Sequence, residues 1–216
     1  MSKRILILVP HDDDIVLSFG GLLAKAQRNQ DIVKAHVFCM GGPNSNNQQV
    51  REKELLEVAK YYDLDITWDE GMDGLLSSID NCSITRKIDN FIEEFKPDEL
   101  YLGAESIHQD HSALYKAFLA SCRLKSGFMP KLIAVGTYPF SDQLYPQPIG
   151  GKIFQPMSDD DFKRKCNAFA MHKSQLKPSP SPLGLEGLRV FSEYLGLMCG
   201  HKYAELYYQL RYIRSL

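Results

Sequence analysis

Two short polar clusters carry the residue types of hydrolytic chemistry: His11-Asp12-Asp13-Asp14 and His108-Gln109-Asp110-His111. The first follows Arg4-Ile5-Leu6-Ile7-Leu8-Val9-Pro10, whose unbroken apolar run reads as a strand buried on both faces of a parallel sheet. The second follows Glu99 to Gly103, another short strand. Residues just past the carboxyl ends of such strands lie where open α/β sheets bind their ligands. Three consecutive carboxyl groups beside a buried strand end repel one another unless a cation neutralises them. Taken alone, the first cluster is either a solvated acidic turn or half of a metal site, and His-x-Asp-His also suits the start of a helix. If the two strands flank the switch point of the sheet, both clusters face one crevice. His11, Asp14 and His111 would then offer two imidazoles and a carboxylate, and three protein ligands with an open position is the pattern of a catalytic zinc.

The elements needed to bring the clusters together can be read in chain order. Strands are expected at Arg4–Val9, Ile32–Met40, Asp65–Trp68, Glu99–Gly103 and Lys131–Tyr138. Helices are expected at Val16–Asn29, Gln48–Asp63, Ile84–Phe95 and Ser112–Arg123, with Lys96-Pro97 stopping the third. Strand and helix alternate over the first two-thirds of the chain. That predicts a doubly wound, three-layer α/β/α Rossmann-like fold with a mostly parallel sheet. Beyond Tyr138 the pattern loosens. Pro139–Pro156 is rich in Pro and Gly with room for an extended segment, and Ser158 with Asp161 resembles a capping box opening a helix over Asp159–His172. Leu185–Leu216, rich in Tyr and Leu, reads as one or two helices. The Pro-rich stretch Lys177–Pro182 reads as a surface loop, so residues 1–216 are expected to form one domain.

Composition narrows the function classes. A net charge of −2 without a Lys/Arg-rich block argues against nucleic-acid or anionic-membrane partners. No apolar run approaches the ~20 residues that span a bilayer, and the N-terminal apolar run is too short for a signal peptide. Five scattered cysteines (Cys39, Cys82, Cys122, Cys166, Cys199) without C-x-x-C point to a reducing, cytoplasmic setting. Dinucleotide and Walker loops are absent, and an acidic turn after the first strand would repel a pyrophosphate. Of the remaining histidines, His36 reads as packed within a strand and His201 as structural or exposed, while His172 is open between a helix end and a pocket border.

Pro10-His11-Asp12-Asp13-Asp14-Ile15 followed by Gly20-Gly21 resembles the Pro-His-Pro-Asp-Asp-Glu…Gly-Gly signature of the LmbE-like, or PIG-L, zinc-dependent N-acetylglucosamine deacetylases. His108-Gln109-Asp110-His111 is similar to that family's His-x-Asp-His motif, and Arg51–Leu55, His172–Gln175 and Tyr203–Glu205 agree in order. The resemblance implies that His11, Asp14 and His111 bind zinc and that Asp13 is the general base toward a water whose pKa the metal lowers. It implies that His108, protonated, stabilises the transition state, that Asp110 orients His108, and that Arg51 and His172 border the substrate. The implied substrate is a small N-acetylated amino sugar or its conjugate, giving an amine and acetate. This sequence departs from the signature at Asp12, in place of proline and expected to face solvent, and at Ile15, in place of glutamate. A non-catalytic metal- or sugar-binding descendant, and a metal-dependent hydrolase of another amide or ester, fit the same residues.

Overall fold

The structure is a computed structural model; residues 2–41, 47–123, 127–139 and 150–214 are described below. Residues 140–149 of the Pro- and Gly-rich stretch lie outside the described residues, and the extended segment expected in that stretch is a strand over Gly151–Met157.

The chain begins with β1 (Arg4–Val9), α1 (Asp14–Asn29), β2 (Ile32–Met40), α2 (Gln48–Tyr62) and β3 (Asp65–Glu70). It continues through α3 (Asn81–Phe95), β4 (Glu99–Leu102), α4 (Gln109–Ser121) and β5 (Leu132–Gly136). β6 (Gly151–Met157), α5 (Asp159–Phe169), α6 (Leu185–Cys199) and β7 (Tyr203–Tyr212) complete it. One seven-stranded sheet forms in the order β3-β2-β1-β4-β5-β7-β6. The first five strands run parallel, and β7 pairs antiparallel with both β5 and β6. The chain winds outward from β1 to β3, then returns to lay β4 on the other side of β1. The switch point therefore lies between β1 and β4, whose carboxyl ends carry the two polar clusters.

The unbroken apolar reading of β1 follows from burial on both sides. Ile5, Ile7 and Val9 face a core shared with α1, α2 and α5, while Leu6 and Leu8 face a second core built with α3 and α4. In α3 the buried residues Ile84, Ile88, Ile92 and Phe95 recur at helical spacing, and Lys96 ends the helix in a left-handed conformation. The capping box at Ser158 forms in full, with Ser158 Oγ accepting from the Asp161 N–H and Asp161 accepting from the Ser158 N–H. His36 is buried against Phe38 and Phe91, and His201 is exposed.

The C-terminal stretch departs from the helical expectation. Leu185–Cys199 is a helix, but Tyr203–Tyr212 is a strand inserted between β5 and β6. Its Ala, Glu, Leu and Gln favour helix, so pairing on both edges and the tyrosines' fit to a sheet face overrode local propensity. Gly200, with φ +78°, marks the break as the left-handed cap of α6.

The Gly20-Gly21 pair and Tyr203-Ala204-Glu205 meet in space. Glu205 accepts the Gly21 and Leu22 N–H groups at 2.7 and 2.9 Å and pairs with Lys165 Nζ at 2.6 Å. Lys165 also donates to the Leu17 carbonyl at 2.8 Å, and Tyr207 donates its hydroxyl to Glu205 at 2.6 Å. A buried ion pair is thus threaded against the helix that presents the acidic turn. A Cβ on Gly20 would lie 2.6 Å from Lys165 Cγ, and one on Gly21 would overlap Met157. Close packing of α1 on this pair is what the glycines provide.

Candidate metal and catalytic site

At the end of β1 the chain turns so that His11 to Asp14 lead straight into α1. Asp13 occupies the N-cap: its carbonyl accepts the Val16 and Leu17 N–H groups, yet its side chain makes no capping bond. An Asp at this position usually caps. Here the carboxylate instead lines a cleft of about 250 Å³ together with His11, Asp14, Arg51, His108 and His111.

Three donors converge at the base of that cleft. His111 Nε2 lies 3.2 Å from His11 Nδ1, and Asp14 Oδ2 lies 3.4 Å from His11 Nδ1 and 3.3 Å from His111 Nε2. Donors ~2.0–2.1 Å from one tetrahedral zinc stand roughly 3.3 Å apart, so the triangle matches that ion. The outer partners fix which atoms carry lone pairs. His111 Nδ1 is 2.6 Å from the Ala104 carbonyl, which only accepts, so Nδ1 donates and Nε2 faces the triangle unprotonated. His11 Nε2 is 3.2 Å from Asp110 Oδ2, so Nε2 donates and Nδ1 faces the triangle. The His11 N–H holds Asp14 Oδ2 at 3.1 Å. Two imidazole lone pairs and a carboxylate oxygen aimed at one point are repulsive without a cation, and each imidazole has the oxygen partner expected of a metal ligand. The residues fit zinc.

The charges around the donors are shifted accordingly. Burial opposes the Asp14 anion, but the His111 and His11 imidazoles outweigh it and hold Asp14 well below the usual carboxylate range. Without a cation in the triangle His11 is pushed up to about 10: burial works against its charge, and hydrogen bonds to Asp110 and Asp14 overcome it, so its Nδ1 offers a lone pair only once a bound cation displaces the proton held there. Asp13 is pushed up to about 6 by burial and by the neighbouring Asp14 and Asp12 charges. A carboxyl group titrating there can take and return a proton near neutral pH.

His108 and Asp110 are arranged differently from the sequence-based expectation. Asp110 is wholly buried and lies 3.2 Å from His11, against 3.9 Å from His108 Nδ1. It also accepts the Gly74 and Leu76 N–H groups at 2.6 and 3.0 Å. The geometry makes Asp110 the partner of the metal-ligand candidate His11 and the anchor of the 71–76 loop. His108 is instead the N-cap of α4, its Nδ1 accepting the Asp110 N–H at 3.3 Å. Burial lowers the His108 pKa, and the positive field at a helix N-terminus acts the same way. Both effects favour the neutral imidazole with its proton on Nε2, where the resemblance implies an imidazolium.

Asp12 also differs from expectation. It is fully buried rather than solvent-facing. Its Oδ1 accepts Arg51 Nε at 2.7 Å and Nη2 of the same guanidinium, and its Oδ2 lies 3.3 Å from His172 Nδ1. Burial penalises the Asp12 anion, but His172 and Arg51 hold its pKa below the ordinary value. His172 is itself completely buried and does not line the cleft, so its contact is with Asp12 rather than with a ligand. Arg51 does line the cleft and reaches Asp73 Oδ2 at 2.8 Å. Glu54, one helical turn on, accepts the Ser174 N–H at 3.0 Å and its hydroxyl at 2.6 Å. The Arg51–Leu55 and His172–Gln175 stretches are therefore tied together beneath the same rim.

Two cleft residues were not singled out in the sequence. Asp73 bonds Arg51 and stands 3.5 Å from His11 Nε2, and Tyr138 lies beside the His111 ring. Asp73 sits in Gly71-Met72-Asp73-Gly74, and both glycines have positive φ. That turn signature was the available cue, though nothing local linked it to the His-Asp-His triangle.

A mostly parallel seven-stranded sheet with a His-Asp-His triangle at its switch point defines a protein of the doubly wound α/β class. The profile of the family described as PIG-L: GlcNAc-PI de-N-acetylase matches residues 6–122, and the chain belongs to that family. No curated protein sequence matches the chain. Among solved structures, the zinc-inhibited form of teicoplanin deacetylase Orf2 aligns with a TM-score of 0.74 at 17% identity, covering 95% of this chain and 97% of that one. N,N'-diacetylchitobiose deacetylase from Pyrococcus horikoshii aligns with a TM-score of 0.73 at 19% identity, covering 97% and 84%. GalB, the 4-carboxy-2-hydroxymuconate hydratase from Pseudomonas putida KT2440, aligns with a TM-score of 0.72 at 13% identity, covering 99% of each chain. At these identities the likeness concerns the fold.

Proposed function

We propose that the protein is a metal-dependent N-deacetylase that hydrolyses the acetamide of an N-acetylated amino sugar or its conjugate to an amine and acetate. The observation that carries this reading is the convergence of His11 Nδ1, Asp14 Oδ2 and His111 Nε2 beside an uncapped, half-buried Asp13. His11, Asp14 and His111 would hold zinc, which supplies Lewis-acid polarisation of the acetamide carbonyl and lowers the pKa of water. Asp13 takes the proton of the attacking water, and its carboxyl returns that proton to the leaving nitrogen as the C–N bond breaks. His108, neutral and protonated on Nε2, donates to the oxygen that gains negative charge. Asp110 keeps the His11 proton on Nε2 throughout, and Arg51 offers N–H groups to substrate hydroxyls at the rim. That neighbours of the same fold are deacetylases of teicoplanin and of N,N'-diacetylchitobiose supports the N-acyl character of the substrate.

The test is acetate and free amine release from N-acetylglucosamine and N,N'-diacetylchitobiose. It would use zinc-loaded protein, protein stripped with a chelator, and stripped protein given zinc again. Equimolar acetate and amine, lost on stripping and restored by zinc, is the expected result. Stoichiometric zinc without acetate from any N-acetyl sugar would favour a non-catalytic binding descendant. Acetate from simple esters but not from amides would favour a hydrolase of another class.

A further inference from the structure

Arg51 is the only Lys or Arg among the described residues lining the cleft, yet its charge is already matched. Three of its donors are engaged: Nε and Nη2 by the fully buried Asp12, and Nη1 by Asp73. The carboxylates of Asp13 and Asp14 line the same cleft. A divalent cation at the His-Asp-His triangle would offset part of this negative charge and leave no surplus positive charge at the Arg51 rim. A phosphate carried next to the sugar would therefore meet a compensated arginine and a carboxylate-rich wall. A hydroxyl group would meet guanidinium N–H groups still able to donate.

We propose that Asp12 is a specificity-determining positioning residue: by taking up the charge of Arg51 it makes the cleft select uncharged acetamido sugars over phosphate-bearing ones. The choice of acetamido sugar rests on the deacetylase reading above, whereas the charge compensation rests on the Asp12–Arg51–Asp73 contacts alone. Asp12 reaches the ligand only through Arg51. Its effect is therefore on the ratio between neutral and anionic ligands, a ratio that a purely structural role would leave unchanged because both would fall together.

The experiment compares wild type, Asp12→Asn and Asp73→Asn, all zinc-loaded, in two readouts. In the first, kcat/KM for acetate release is measured with N-acetylglucosamine and with N-acetylglucosamine 1-phosphate. Removing one carboxylate charge a few ångströms from the phosphate at an effective dielectric near 20 is expected to shift the neutral-to-anionic ratio by about tenfold or more, chiefly through KM for the phosphate. In the second, binding of inorganic phosphate is followed by calorimetry, which needs no turnover. Both variants are expected to bind it about tenfold more tightly than wild type. An unchanged kcat/KM ratio together with unchanged phosphate binding in both variants overturns the inference. If no protein releases acetate, the deacetylase reading fails and the calorimetry alone decides the charge claim. Asp73 is partly exposed at the rim, so Asp73→Asn keeps the test valid should Asp12→Asn fail to fold.

Discussion

Replacing Asp110 by Asn exchanges one carboxylate oxygen for an NH2 group and tests how the metal donors are aimed. Both Asp110 oxygens are acceptors: Oδ2 takes the Gly74 N–H at 2.6 Å and the His11 Nε2 proton at 3.2 Å, and Oδ1 takes the Leu76 N–H at 3.0 Å. An asparagine has one acceptor oxygen, so its amide nitrogen must face a donor in either orientation. Turned toward Leu76 it opposes a buried N–H and loosens the loop carrying Asp73. Turned toward His11 it forces that imidazole into the other tautomer, placing the proton on Nδ1 where the metal lone pair has to be. Loss of such an outer partner weakens a metal site by about 10- to 100-fold, or roughly 1.4–2.7 kcal/mol. Competition for zinc against a chromophoric chelator at neutral pH measures this, with circular dichroism to show that the variant is folded. The matching control is His108→Ala, which removes the alternative partner of Asp110 and is expected to leave zinc affinity near wild type. Wild-type affinity in Asp110→Asn, or an equal loss in His108→Ala, would refute the assignment of Asp110 to His11.

Two further outcomes follow from the charges. Asp13 must be ionised to accept a proton, and its pKa is raised to about 6 by burial and the Asp14 and Asp12 charges. kcat/KM is therefore expected to rise with pH up to a limb at about 6, lower still when a cation is bound beside it, and to fall about tenfold per pH unit below the limb. A rate that climbs as pH drops from neutral would contradict Asp13 as the base. Lys165→Met leaves Glu205 charged and unpaired where both side chains are only 3% exposed, and is expected to cost about 3–5 kcal/mol in urea unfolding. An unfolding midpoint equal to wild type would show that the pair does not hold α1.

How much of this was legible depended on whether the information was local. Arg4–Val9 declared its burial because helices cover both faces of a parallel sheet and exclude polar residues from either side. The clusters after β1 and β4 became one site once the strand alternation implied a switch point, and the order β2-β1-β4 supplies that adjacency. Tyr203–Tyr212 was illegible because its helix-favouring composition was overruled by two antiparallel partners far away in sequence. Asp12 looked like spare charge because its partners Arg51 and His172 lie 39 and 160 residues on. The cap that His108 forms on its own helix was hidden as well, because that bond is visible only in three dimensions. Distant pairings, rather than weak motifs, account for what the sequence withheld.

The central claim is that Asp13 is the base beside a metal held by His11, Asp14 and His111. It is tested most directly by Asp13→Asn, measuring bound zinc per chain and acetate released from N-acetylglucosamine in the same samples. The account predicts one zinc per chain in both proteins, with acetate release lowered by about 10²- to 10⁴-fold in the variant. Undiminished release with zinc bound would contradict the role of Asp13, and absence of zinc from the wild-type protein would contradict the metal site itself.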